Sequence, residues 1–149
     1  SYDIEKKLYN FGHEDLRQFG CRIESDSSSF RETIGFSTFY LYKGKFFGKI
    51  TTINMKDEAI RKAIIEQLSA LYPKGKLIHH EFNYGVVKGR AVKMNIPVFK
   101  YQSHKVKVFS TDDGFYIYNL DMLNEVLNLP DRMKKQENEK KRQDVRKLI

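Results

Sequence analysis

The densest group of side chains that could bind a metal ion is the run His79, His80 and Glu81. If this run is a strand, successive side chains point to opposite faces, so His79 and Glu81 share one face and His80 takes the other. A three-ligand metal site therefore needs a residue from elsewhere, and no recognisable spacing supplies it. His104, Asp112 and Asp113, later in the chain, are of the right type to join such a site.

The sequence gives little support for a catalytic site. Two histidines followed by Asn83 resemble the metal-dependent ββα nucleases, and this resemblance implies a nuclease around His79 and His80 as one alternative function. Cys21 is the only cysteine, and its nearest imidazole, His13, stands in no known catalytic spacing. The glycines form no phosphate-binding loop. We therefore favour a protein that is not an enzyme, and we expect neither a metal nor a cofactor.

Positive charge is the stronger signal. The chain has a formal net charge of +8 and a pI near 9.5, and residues 74–108 contain eight basic residues against Glu81 alone. An excess of this kind favours a polyanionic partner. Lys105 and Lys107 are expected on one wet strand face, with Val106 in the core, and Arg90 is the best candidate for bonding a base edge. The predicted nucleic-acid-binding residues are Lys45, Lys49, Lys88, Arg90, Lys93, Lys100, Lys105 and Lys107.

Aromatic residues are concentrated in a predicted hairpin, with strands at 34–42 and 45–53 joined at Lys43-Gly44. Both of its faces carry aromatic side chains. Phe39, Leu41 and Phe46 are expected on one face, and together with Ile50 they are the predicted partners of the following helix. The opposite face either stacks on bases or sugars or completes a second layer of core, and the core interpretation is favoured. The residues on that opposite face are Tyr40, Tyr42 and Phe47.

The remaining pattern predicts an α+β fold. An apolar stripe predicts a helix at about 55–72 with Asn54 as its N-cap, and short strands follow between 76 and 118. A shorter C-terminal helix is expected at about 120–128, and one or two helical turns are expected on each side of Gly12, in residues 3–19. We predict an antiparallel sheet of hairpins packed against the central helix, in a single domain of residues 1–130. Residues 131–149 form a basic tail, helical or mobile.

Residues 35–64 carry two local resemblances. Short strands followed by a helix resemble the DNA-binding modules of plant transcription factors and of integrase arm-binding domains, in which a sheet is inserted into the major groove. The order of strands and helix also resembles a double-stranded-RNA-binding domain. Both resemblances imply a nucleic-acid partner.

These observations predict a non-enzymatic nucleic-acid-binding protein, with double-stranded DNA favoured over RNA, acting as a small regulator or as a mobile-element or phage protein. The main alternative is an inhibitor or adaptor that docks on an acidic partner surface. A homodimer is compatible with the sequence, and no membrane partner is expected because no apolar run is long enough to span a bilayer. A single cysteine suggests an intracellular setting, in the cytoplasm, nucleoid or nucleus.

Overall fold

The computed structural model describes residues 14–26 and 30–148, which form one seven-stranded antiparallel sheet and three helices. The strand order is β1-β2-β3-β7-β6-β5-β4. The predicted α+β class, with an antiparallel sheet, is confirmed. The elements are β1 (Leu16–Asp26), β2 (Arg31–Tyr42), β3 (Lys45–Ile53), α1 (Glu58–Leu71), β4 (Lys76–Val87), β5 (Arg90–Gln102), β6 (Val106–Ser110), β7 (Gly114–Asn119), α2 (Leu120–Leu127) and α3 (Leu129–Arg146).

Two meanders make up the sheet. Strands β1 to β3 form the first and β4 to β7 the second, and β3 pairs with β7 to join them. Helix α1 crosses between the meanders and delivers the chain to β4 at the far edge of the sheet. Strands β3 and β7 approach each other closely at Gly114, where φ is +152° and an added Cβ would lie 1.8 Å from the carbonyl oxygen of Thr51.

One face of the sheet is covered by α2, and the first residue of α3 joins the same core. The exposed fractions of Tyr40, Tyr42 and Phe47 are 6%, 4% and 2%, and all three pack in this core. The favoured core interpretation is therefore confirmed for these residues, and the proposal that they stack on bases is wrong because their rings are buried. The other buried members of this core are Ile50, Tyr116, Tyr118, Leu123, Val126 and Leu129.

The opposite face is covered only in part, by α1. Leu68 packs with Phe99 and Val108 on β5 and β6. The prediction that this helix packs on Phe39, Leu41, Phe46 and Ile50 is thus wrong. Ile50 is buried in the core on the other face of the sheet. The helix follows β3 directly in sequence, but its chain continues to β4, and the crossover takes it over the second meander instead.

Two local predictions also need correction. Leu16 and Phe19 lie in β1 and not in a helix, whereas the helical turns expected before residue 14 fall outside the described residues. Asn54 does not cap α1. Its side chain accepts a hydrogen bond from the Lys56 amide at 3.1 Å, and the N-cap is Asp57, whose carboxylate accepts from the Ile60 amide at 3.2 Å.

Helix α3 extends away from the core. Leu129 is its only buried residue, and every described position from residue 130 to residue 148 is exposed. Its composition explains this, because residues 131–149 include eight basic and four acidic side chains and few apolar ones. A helix that is polar on all sides has no face to bury.

Candidate nucleic-acid interface

A two-stranded ribbon projects from the sheet. Strands β4 and β5 pair from Lys76↔Lys100 to Val87↔Arg90, whereas β5 pairs with β6 only from Lys100 to Gln102. In the described part of the chain, residues 90–98 of β5 therefore pair with β4 on one side and with no strand on the other. We call residues 76–99 the ribbon.

The base of the ribbon is fixed to the body of the protein and its tip is free. Ile96, Val98 and Phe99 are at most 2% exposed, and the Phe99 amide donates a 2.8 Å hydrogen bond to the hydroxyl of Ser110. By contrast, all residues from 83 to 91 are exposed. The tip thus stands in solvent on a base that packing and hydrogen bonding hold in place.

The turn at the tip has a defined geometry. Lys88 and Gly89 have φ values of +51° and +74°, which is the pattern of a type I′ hairpin turn. Such a turn matches the natural twist of the two strands, so the ribbon stays regular up to its end. Arg90 follows immediately, in register with Val87. The turn therefore places the backbone of Lys88 and Arg90, and with it two cationic side chains, at the exposed end of the ribbon.

Electrostatics favour an anion at this tip. No acidic residue occurs in the sequence from Phe82 to Pro97, and the carboxylate of Glu81, which precedes this stretch, lies 3.9 Å from the Lys93 ammonium. Both side chains of that pair are more than half exposed, so the pair is weak and leaves Lys93 accessible. Among the described residues, Lys88 and Arg90 have no salt bridge.

A second group of lysines lies where β5 and β6 pair. Lys100 is in register with Phe109, and its ammonium stands 4.9 Å from the centre of that ring. Lys107 is half-buried and diagonal to Lys100 on the same face. The expectation that Lys105 shares a strand with Lys107 is wrong, since β6 begins at Val106 and Lys105 lies in the preceding turn. The structure therefore brings Lys100 and Lys107 together.

Two predicted residues lie elsewhere. Lys45 begins β3 beside the Lys43-Gly44 turn, and Lys49 is half-buried on the α1 face of the same strand. The β3 strand ends near Asp113, on the side of the sheet from which the ribbon projects, so its first residues lie at the opposite end. Lys45 and Lys49 do not belong to the ribbon surface.

The exposed aromatic residues are not the ones that the sequence suggested for stacking. Phe19, Phe39 and Phe46 pack together with ring centroids 5.2 to 5.9 Å apart, on the face that α1 leaves open. Phe19 is 48% exposed and Phe46 is 58% exposed. The alternation of the hairpin correctly separated Phe39 and Phe46 from the buried set. It gave no sign that Phe19 would join them, because Leu16 and Phe19 also fit a helical spacing.

The histidine run offers no metal centre in the part of the chain that the structure describes, where no group of three potential ligands comes together. His79 and His80 alternate along β4 in register with Pro97 and Ile96, as a strand requires. The His80 ring lies 4.6 Å from that of Phe82, so it packs on the ribbon surface. The observed geometry thus gives the nuclease alternative no third ligand among these residues.

Comparison with known proteins gives no further assignment, since no family model, curated protein sequence or solved structure matches this chain. Within residues 14–26 and 30–148, none of the helices has both the length and the apolar character needed to cross a membrane.

Proposed function

We propose that this protein binds nucleic acid, with double-stranded DNA as the favoured ligand, and that the tip of the ribbon enters a groove of the duplex. The observation that carries the proposal is an exposed two-stranded ribbon whose turn presents Lys88 and Arg90, neither of which has a salt-bridge partner among the described residues. The role is that of a small regulator or a mobile-element protein that works without catalysis, inside the cell where its ligand is found.

The dimensions of the ribbon suit the major groove. The groove of B-form DNA is about 12 Å wide and about 8.5 Å deep, and it admits a two-stranded ribbon. The pairs from Gly85↔Val92 to Val87↔Arg90 and the turn beyond them extend roughly 10 Å at about 3.4 Å per residue. The free tip can therefore reach the floor of the groove while the buried base stays outside.

Each cation of the tip has a distinct task in this proposal. The Arg90 guanidinium presents a planar fork of donors, which can bond the two acceptors of guanine together. The ammonium groups of Lys88 and Lys93 meet phosphates, which fix the position of the ribbon without reading sequence. Helix α3 adds non-specific affinity, because its exposed cations can follow the phosphate backbone.

The test measures binding of fluorescently labelled duplex DNA, duplex RNA and single-stranded DNA by anisotropy, each at several salt concentrations. The informative variant is Lys88→Asn with Arg90→Gln, because Asn tolerates the positive φ of the turn while both charges are removed. The matched control, Arg22→Gln with Lys62→Gln, removes the same net charge from exposed positions on β1 and α1.

For duplex DNA we expect the log–log salt slope of the ribbon variant to fall by about 1.8, because each of the two cations removed neutralises one phosphate and so accounts for about 0.9 of the slope. Removal of the Arg90 fork should also reduce discrimination between sequences by about 1–3 kcal/mol at one base pair. The control should keep both properties. Equal effects of the two variants, or no salt-dependent binding by the parent, would refute the proposal.

A further inference from the structure

A second surface, distant from the ribbon tip, is apolar. Beside the three phenyl rings on the open face lies a groove of about 380 Å³. Its walls include Phe39, Phe46, Lys49, Tyr72, Val106 and Ile117. Burial, and to a smaller extent charge repulsion from the Tyr101 phenol group when it ionises, raise the pKa of Tyr72, so its hydroxyl stays neutral at physiological pH. The described residues that line the groove thus offer mainly hydrocarbon and ring surfaces, with one charged group among them.

That charged group is Lys49, and it has an unusual environment. Its ammonium lies 5.5 Å from the centre of the Phe39 ring and 5.7 Å from that of Phe115. Among the described residues, no carboxylate lies within ion-pair distance of it. Arg17 is two residues from Phe19 on β1 and so shares its face. An anion with an apolar body would complement both the rings and these cations.

The extent of the surface indicates the size of the occupant. Five neighbouring strands, from β1 through β2, β3 and β7 to β6, each contribute one apolar side chain. Four strand spacings of about 4.8 Å make this surface roughly 19 Å wide, which exceeds the length of a small organic anion. Apolar surfaces of this kind, with a polar rim, commonly receive another protein. The contributing residues are Phe19, Phe39, Phe46, Ile117 and Val106.

We infer that this surface is a docking site for an acidic, apolar peptide segment of a partner protein, and we name it the phenyl groove. Large apolar side chains of the segment fill the space between Phe46 and Tyr72, and a carboxylate of the segment reaches Lys49. A nucleic acid fits less well, because a strand that stacks its bases on these rings brings a phosphate with each nucleotide, and Lys49 is the only cation among the described residues that line the groove. This inference does not depend on the ribbon, since the two surfaces share no residue.

The experiment selects peptides from a random phage-displayed library on the immobilised full chain, and then measures a synthetic copy of the selected peptide by fluorescence anisotropy. We expect the selected sequences to combine large apolar residues with Asp or Glu. Phe46→Ser and, separately, Lys49→Glu should each weaken binding about tenfold, whereas Arg90→Gln should leave it unchanged. A peptide with Lys in place of its acidic residue should recover binding to Lys49→Glu.

The charge-swap recovery separates contact from damage to the fold, since a variant that is merely misfolded would not bind either peptide. Lys49→Arg keeps the cation and should retain binding if Lys49→Glu proves too unstable to use. The inference is overturned if no peptide is enriched over the bare support, or if the selected peptides bind Phe46→Ser and Lys49→Glu as well as the parent. It is also overturned if oligothymidylate displaces the peptide and itself loses affinity in Phe46→Ser.

Discussion

Phe46 and Phe47 are adjacent and identical in type, yet the structure assigns them opposite environments. Phe47 is 2% exposed in the core beneath α2, and Phe46 is 58% exposed on the open face. Replacing a buried phenylalanine by alanine costs about 3–5 kcal/mol. The Phe46 side chain is less than half buried, so Phe46→Ala loses less buried apolar surface, together with the ring contacts to Phe19 and Phe39. We expect the two losses to lower the free energy of unfolding by about 1–2 kcal/mol in all.

The assay is urea denaturation of Phe46→Ala and Phe47→Ala followed by circular dichroism, with thermal melting as a second measurement. For a chain of this size, 1 kcal/mol shifts the melting temperature by about 2–4 °C. We therefore expect a decrease of roughly 6–20 °C for Phe47→Ala and of about 2–8 °C for Phe46→Ala. Each variant serves as the control for the other. A larger destabilisation by Phe46→Ala would mean that α1 covers this face after all, and equal destabilisation would refute the assignment of faces.

Two further predictions concern the joint between the meanders and the C-terminal helix. Gly114→Ala should lower the free energy of unfolding, measured by urea denaturation, by at least about 3 kcal/mol, because its Cβ would meet the Thr51 carbonyl oxygen. The control Gly89→Ala, which has open space around it, should lower it by only about 1–2 kcal/mol. Similar losses in the two variants would show that the backbone at Gly114 relaxes freely. Deleting residues 132–149 removes eight basic and three acidic side chains but leaves the buried Leu129 in place. The affinity for DNA and the salt slope should therefore fall, because phosphate contacts are lost. Sequence preference and melting temperature should not change, because these contacts read no bases and the core is intact. A truncated protein that unfolds, or that keeps its salt slope, would show instead that α3 is structural.

Period-two alternation predicted the hairpin and its two faces correctly, but not which helix would cover each face. That choice depends on strand order, which is a property of the whole chain. Insertion of β7 beside β3 places α2 over Tyr40 and Phe47, and the crossover to β4 takes α1 away from Phe46. No local pattern in residues 39–50 contains this information.

Strand β1 shows a different limit of sequence reasoning. Leu16 and Phe19 fit a helical spacing, whereas Phe19, Cys21 and Ile23 fit the spacing of a strand. Pairing with β2 from Leu16↔Tyr42 onward decides between them, because an edge strand gains its hydrogen bonds from a partner distant in sequence. The same non-local pairing brings Phe19 to Phe39 and so creates the exposed phenyl cluster.

The ribbon tip could be found from sequence, but the ribbon itself could not. Lys88-Gly89 signals a tight turn, and the charge around it is visible in residues 74–108. That the tip stands free follows from unequal strand lengths, since β5 runs for 13 residues and β6 for only 5. A cation-rich turn on a fully paired strand would be an ordinary solvated edge. The excess length of β5 lifts the same turn away from the sheet, and this geometry makes entry into a nucleic-acid groove physically feasible.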